Sequence, residues 1–169
     1  MRQVPEPRIE HFNPYPNNYS QKLVVGPKFL GSIFRSNPSG DEEGRRQRFS
    51  TELLRWMKNE EIPYKRLIVN RHVLDEAATR LKKKARPRDA FRCVKTVLES
   101  KVIVVQKMDD DAFDEACTGF REFSDHEGAM TDFVTKTFTQ NSDTSYLATW
   151  DSHYQAFEDI TLLPLCDYS

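Results

Sequence analysis

Short runs of apolar residues recur along the chain, and longer segments with helical spacing separate them. The apolar runs lie at 22–25, 66–69, 102–105, 146–150 and 161–165, and the helical segments lie at 41–59, 72–84, 87–99, 109–123 and 127–139. Continuous apolar runs of this length are typical of strands that are buried on both faces. Strands that alternate with helices predict βαβ units. We therefore expect a three-layer α/β/α domain around a parallel sheet of four or five strands.

The first 20 residues differ from the rest of the chain. They contain Pro5, Pro7, Pro14 and Pro16, and proline removes a backbone donor and resists helix formation. We interpret 1–20 as a proline-rich N-terminal arm and 21–169 as one domain. The arm either packs on the domain or docks a partner, and the sequence leaves both open.

The composition is typical of a soluble globular protein. Of the 169 residues, 38% are hydrophobic and 30% are charged, and the net charge of −1 argues neither for nor against a nucleic-acid partner. The three cysteines are widely spaced, which disfavours a zinc site and a disulfide framework. No apolar run approaches the ~20 residues of a membrane span, and the first residues lack the apolar core of a signal peptide. We expect a cytoplasmic protein with no membrane partner.

Three acidic residues fall near the carboxyl ends of predicted strands, where parallel sheets place their ligand sites. Asp151 directly follows the fourth strand, Glu76 lies in the first turns of the helix after the second strand, and Asp132 lies in the first turns of the helix at 127–139. Carboxylates gathered at one edge bind Mg²⁺ or Mn²⁺ through hard oxygen ligands. Such a metal site activates a water and stabilises the charge on a phosphodiester that is being cleaved.

The segments that carry these acids resemble the acidic motifs of PIN-domain ribonucleases. The resemblance covers VLDEA at 73–77, SDHEGAMTDF at 124–133 and TWDSHYQAF at 149–157, in the order found in the family. It implies an Mg²⁺- or Mn²⁺-dependent endoribonuclease in which Glu76, Asp132 and Asp151 hold the metal. It also implies RNA as the substrate, an antitoxin-like protein partner and a homodimer.

The first acidic motif of the family is degenerate in this chain. PIN domains end their first strand with an aspartate, whereas Gly26 stands at the matching position and Lys28 stands where a small polar residue is usual. Glycine offers no side-chain ligand, so we expect the metal to bind weakly or not at all and cleavage to be weakened. We hypothesise that the Lys28 ammonium lies among Glu76, Asp132 and Asp151 and takes over part of the metal's charge.

Each of the three acids also has an ordinary structural role open to it. Glu76 precedes Arg80 by four residues, so the two can form an ion pair on the helix surface. Asp132 suits the early turns of a helix because of the helix dipole. Asp151 can cap a short helix that starts at Ser152.

Other polar residues are candidates for secondary roles. A basic run could follow an RNA backbone, although such runs are usually solvated surface; it comprises Arg80, Lys82, Lys83, Lys84, Arg86 and Arg88. The three adjacent acids at 109–111 are interpreted as a helix cap and not as metal ligands. The histidines at 72, 126 and 153 have no evident nucleophile partner, so we interpret them as supporting or surface residues.

Three functions remain open at this point. The first is a PIN-type endoribonuclease with weakened activity. The second is a catalytically inactive, degenerate PIN domain that binds RNA or a protein, which Gly26 and Lys28 favour. The third is a structural subunit recruited through the arm. Metal-dependent cleavage that Asp151→Asn abolishes would identify the endoribonuclease. RNA affinity that persists in a chelator would identify the inactive binding domain. A structural subunit would bind no RNA with or without the chelator.

Overall fold

The computed structural model describes residues 5–15, 17–18 and 20–165, so Pro16 of the predicted arm and Cys166 lie outside the described residues. The helices are α1 Ile9–Phe12, α2 Pro27–Phe34, α3 Gly40–Lys58, α4 Arg71–Lys84, α5 Pro87–Glu99, α6 Asp110–Glu122 and α7 Met130–Asn141. The strands are β1 Lys22–Val25, β2 Arg66–Asn70, β3 Ile103–Gln106, β4 Tyr146–Ala148 and β5 Thr161–Leu163, and a 3₁₀ helix spans Ser152–Ala156. No helix in the described part of the chain is long and apolar enough to cross a membrane.

The five strands form one all-parallel sheet in the order β3-β2-β1-β4-β5. β1 lies at the centre, where Val24 pairs with Ile68 of β2 and with Leu147 of β4. The predicted parallel sheet is confirmed, with five strands. Because parallel strands all end at one edge, the segments that follow β1, β2 and β4 come close together in space.

Successive residues of β1 face two separate hydrophobic cores, since side chains alternate across a sheet. Leu23 and Val25 pack with residues of α1 to α5 on one face. Val24 packs with residues of α6, α7 and the 3₁₀ helix on the other face. Both faces of the sheet are therefore covered, which confirms the three-layer α/β/α architecture.

The described part of the N-terminal arm packs on the domain through α1. Phe12 is fully buried and contacts the rings of Phe29 and Phe49. The Tyr64 hydroxyl donates a hydrogen bond to Phe12 O at 2.6 Å and accepts one from Asn18 Nδ2 at 3.0 Å. Of the two placements that the sequence left open for the arm, these residues take the first.

Three of the differences from the prediction bear on the carboxyl edge of the sheet. A helix, α2, follows Gly26 where the pattern indicated only a turn, because Pro27 occupies the first helical turn, where no amide donor is needed. β4 ends at Ala148, so Asp151 lies beyond the strand and does not follow it directly. α7 begins at Met130 and not at residue 127, since the preceding loop is held by a hydrogen bond from Gly128 N–H to a histidine ring.

Candidate active site

The carboxyl edge of the sheet brings together side chains from separate parts of the chain. β1 leads to Lys28 in α2, and β4 leads to Asp151. β2 ends at Asn70, whose side chain caps α4, so Glu76 in the second turn of α4 also lies near this edge. Asp132, in the first turn of α7, is the third acid at this site. Edges of this kind are where open parallel sheets bind ligands.

Asp151 is fixed by hydrogen bonds to its own loop. Its Oδ1 accepts a hydrogen bond from His153 N–H at 3.0 Å and so caps the 3₁₀ helix. Its N–H donates to Thr149 Oγ1 at 3.1 Å. The ring atom His153 Nδ1 lies 3.2 Å from the same Oδ1. The capping role that the sequence left open for Asp151 is therefore observed, and it leaves Oδ2 for another partner.

That partner is Lys28, whose Nζ lies 3.1 Å from Asp151 Oδ2. The two side chains are 31% and 17% exposed, so solvent screens the pair only partly. Burial disfavours the ionised form of Asp151, but the His153 N–H and the Lys28 ammonium outweigh it and hold the pKa of Asp151 below its ordinary value. Among the ion pairs of the described residues, Lys28 has none with Glu76 or Asp132. The ammonium thus makes direct contact with one of the three acids.

Asp132 is buried at the start of α7. Its Oδ2 accepts a hydrogen bond from Ala129 N–H at 2.8 Å and lies 3.9 Å from His153 Nδ1. Burial raises the pKa of Asp132, and the nearby Asp151 carboxylate adds to this rise, although the Ala129 N–H opposes it. The His153 ring therefore stands between the two carboxylates and lies nearer to Asp151.

Glu76 belongs to the same electrostatic environment as the other two acids. Burial raises its pKa above the ordinary value, the carboxylates of Asp132 and Asp151 add to the rise, and Arg80 opposes it. Arg80 Nη1 lies 3.7 Å from Glu76 Oε1, so the surface pair that the spacing suggested is present. Two of the three acids therefore resist ionisation, while Asp151 favours it.

The position of the degenerate motif is closely packed. A Cβ atom on Gly26 would lie 3.3 Å from Thr149 Oγ1 and 3.5 Å from Ala148 O. Thr149 Oγ1 also accepts the hydrogen bond from Asp151 N–H. A side chain at position 26 would therefore press on the residue that holds the Asp151 loop in place.

The side chains as placed do not fit the divalent metal that the PIN resemblance implies. Gly26 supplies no ligand, and both oxygens of Asp151 already have partners. One oxygen of Asp132 accepts a backbone N–H. Within residues 5–15, 17–18 and 20–165, no group of three or more His, Cys, Asp or Glu side chains is arranged to hold a metal ion. The site is instead an acid cluster that is partly neutralised by the chain's own groups.

The predicted basic run lies mostly away from these acids. Arg80 contacts Glu76, but α4 runs away from the carboxyl edge of the sheet. At the rise of an α-helix, Lys84 lies about 12 Å further along the axis than Glu76. The last two arginines of the run, at 86 and 88, belong to the start of α5. Only the beginning of the run therefore adjoins the candidate site.

Two contributors to the site were not assigned a direct role from the sequence. His153 contacts both Asp132 and Asp151, and its only signal was its place two residues after Asp151. Gly128 N–H donates to His126 Nδ1 at 2.8 Å, and a Cβ atom there would lie 2.8 Å from Asp132 Oδ2. Only glycine lets this loop approach so closely, and a lone glycine in a loop gives no such indication by itself.

Comparison with known proteins identifies the fold. No family model matches the sequence, and no curated protein matches it significantly. Among solved structures, the chain is similar to VapC20 of Mycobacterium tuberculosis, a sarcin–ricin loop cleaving toxin. The TM-score is 0.63 and the sequence identity is 16%. The match covers 80% of this chain and 95% of VapC20. VapC20 is a PIN-domain toxin ribonuclease. The PIN-like fold expected from the sequence is thereby confirmed.

Proposed function

We propose that this chain, which has the fold of a PIN domain, binds RNA at the carboxyl edge of its sheet and does not cleave it by metal-dependent hydrolysis. The observation that carries the proposal is the ion pair between Lys28 and Asp151, next to Gly26 in place of an acid. Gly26 provides no carboxylate for a metal ion, and the Lys28 ammonium neutralises the carboxylate of Asp151. Both changes favour binding over hydrolysis.

Two observations support RNA as the ligand. A protein of similar fold acts on the sarcin–ricin loop. In addition, the helix that carries Glu76 also carries Arg71 and Arg80, and Lys107 follows β3 directly at the same edge of the sheet. Lysine and arginine at a ligand edge can contact phosphate oxygens and release counterions from RNA. The lysines at 82–84 extend these cations along α4, and the arginines at 86 and 88 continue them at the start of α5, so the run can follow the RNA backbone away from the site.

The charge of the acid cluster is compatible with a bound polyanion. Three exposed carboxylates would repel phosphate groups. Here the Lys28 ammonium compensates the charge of Asp151, and Arg80 pairs with Glu76. The repulsion that a phosphate meets at this edge is therefore reduced without a metal ion.

A second candidate is the PIN-type, Mg²⁺- or Mn²⁺-dependent endoribonuclease with weakened activity. The raised pKa values of Glu76 and Asp132 favour it, because they arise from burial and then from repulsion between carboxylates. A divalent cation would relieve that repulsion. This candidate requires Asp151 to release Lys28 before it can serve as a ligand.

One experiment separates the two candidates. Binding and cleavage are measured on one pool of structured and single-stranded RNA, in Mn²⁺ and in EDTA. We expect the native protein to bind RNA in EDTA and to cut none in Mn²⁺. Cleavage by the native protein that Asp151→Asn abolishes would establish the endoribonuclease instead. A native protein that neither binds nor cuts would contradict both candidates.

A restored ligand provides the matched control. The double variant Gly26→Asp with Lys28→Ser should gain an Mn²⁺-dependent rise in Tm, because it returns one carboxylate and frees another. Gly26→Ala with Lys28→Ser introduces the same Cβ contact with Thr149 but no carboxylate, so it should gain nothing. Equal responses of the two double variants to Mn²⁺ would show that the missing acid does not explain the lack of a metal site.

A further inference from the structure

A pocket of about 370 Å³ lies beside the acid cluster, at the ends of β2 and β3. Its lining includes Arg71 and His72 from the start of α4, Lys107 directly after β3, and Phe113 from α6. The volume falls within the range of small-ligand sites. The pocket combines aromatic rings with cations, which is the pairing that single-stranded nucleic acids require.

Two aromatic rings form one wall of this pocket. The rings of His72 and Phe113 are stacked, with centroids 5.7 Å apart and an interplanar angle of 15°. Phe113 is 37% exposed, although it is a large apolar side chain. The hydrogen bond from His72 N–H to Asn70 Oδ1 fixes the backbone that carries the histidine. A partly exposed, positioned ring pair is a surface on which a planar base can stack.

The charges of the pocket favour an anion. Arg71 and Lys107 are both exposed, and in the described part of the chain neither forms an ion pair. The single carboxylate in the lining is that of Asp110. By contrast, a larger pocket of about 520 Å³ next to Phe157 carries three carboxylates against one lysine, and so disfavours phosphate.

The pocket and the acid cluster share helix α4. His72 and Glu76 are four residues apart and therefore lie on the same face of that helix. Because His72 and Glu76 are only about 6 Å apart along the helix axis, a strand of RNA that reaches the acids can also reach this pocket.

We infer that the pocket binds one nucleotide of single-stranded RNA, with the base stacked on the His72–Phe113 pair and a phosphate between Arg71 and Lys107. The inference rests on the proposed function, since it assigns a substrate class to the same edge. A base inside a duplex cannot reach such a surface, because it is already stacked and paired. The pocket therefore selects single strands or loops over duplex RNA.

The test uses a short single-stranded RNA that carries one fluorescent aminopurine, with binding followed by titration in EDTA. We expect the aminopurine fluorescence to be quenched on binding. Lys107→Glu should weaken binding by about tenfold or more, because one phosphate contact becomes a repulsion. Lys101→Glu is the matched control, since Lys101 is also exposed and lies before β3, at the opposite edge of the sheet.

Variants of Phe113 separate stacking from simple apolar contact. Phe113→Tyr should keep both affinity and quenching, whereas Phe113→Leu should lose the quenching and weaken binding by about 5- to 100-fold. The inference would be overturned if the native protein bound RNA, Lys107→Glu had the same affinity as Lys101→Glu, and Phe113→Leu had the same affinity and quenching as the native protein. That result would leave the proposed function standing. A native protein that binds no single-stranded RNA would overturn both.

Discussion

Lys28 Nζ lies 3.1 Å from Asp151 Oδ2, and this ion pair joins the segment after the first strand to the segment after the fourth. It forms beside Gly26, where a PIN domain would have its first acid. The chain thus contains a fixed cation beside a group of acids for which a PIN-domain nuclease would use a metal. We expect this pair to contribute to the stability of the fold.

Replacing the cation should cost stability in a pH-dependent way. Lys28→Met keeps the length of the side chain but removes its charge, and we expect the free energy of unfolding at pH 7 to fall by about 1–2 kcal/mol. The pKa of Asp151 is lowered in the folded protein, so its contribution is present above the unfolded pKa and is lost as the pH falls through the folded pKa. The difference between native and variant should therefore shrink below about pH 4.

Lys22→Met provides the control for this measurement. Lys22 Nζ lies 3.5 Å from Asp143 Oδ2, but the Asp143 side chain is 92% exposed, so this pair should contribute little. Urea titrations of the three proteins across pH give the comparison. Equal losses for the two variants at pH 7 would show that the Lys28 pair is no more than surface charge.

Neutralising Glu76 should raise the stability of the fold at pH 7, whereas removing the charge of Lys28 should lower it. Burial and the neighbouring carboxylates raise its pKa, so the stability linked to its protonated form is present below the unfolded pKa and is lost as the pH rises through the folded pKa. Glu76→Gln cannot ionise, and its Tm should exceed that of the native protein at pH 7 and match it below about pH 4. Asp75→Asn is the control, because it removes the same charge from an exposed neighbour outside the cluster. This variant should leave Tm nearly unchanged.

The loop before α7 should tolerate no side chain at Gly128. A Cβ atom there would lie 2.5 Å from the His126 ring and 2.8 Å from Asp132 Oδ2. We expect Gly128→Ala to lower the free energy of unfolding by about 1–3 kcal/mol, as overpacking does. Gly31→Ala, in α2, has no atom within 4 Å of its new Cβ and should be stabilising by about 0.5–1 kcal/mol. If Gly128→Ala left the free energy of unfolding unchanged, the loop would have to adjust freely to the added methyl group.

Removing the anchor of the N-terminal arm should destabilise the whole domain. Phe12 is fully buried among aromatic rings of the larger core, so Phe12→Ala should cost about 3–5 kcal/mol. Tyr15→Ala is the control, because Tyr15 lies in the same arm and is 49% exposed. Thermal unfolding of both variants distinguishes an arm that belongs to the fold from one that is free to recruit a partner. Equal Tm values for Phe12→Ala and Tyr15→Ala would favour an arm that is free to recruit a partner.

The sequence by itself determined most elements of the fold, although it did not indicate α1 or α2. Apolar runs separated by helical segments predicted the parallel sheet and its two covering layers, because strand and helix periodicities are local properties of a chain. Local capping signals were equally informative: Asn70 caps α4, and Asp109 Oδ1 accepts a hydrogen bond from Ala112 N–H at 2.7 Å, as its interpretation as a cap required. The acids Glu76, Asp132 and Asp151 were selected as candidate site residues in the same way, from their places near the ends of predicted elements.

Only the tertiary structure decided which partners these side chains meet. The contact of Lys28 with one acid, the place of His153 between Asp132 and Asp151, and the stacking of His72 on Phe113 all join different elements. Such contacts depend on sheet register, on the rotation of each helix and on the loop at Gly128. A periodic pattern states which face of an element is buried, but it does not contain the distance between side chains on different elements, which packing alone sets.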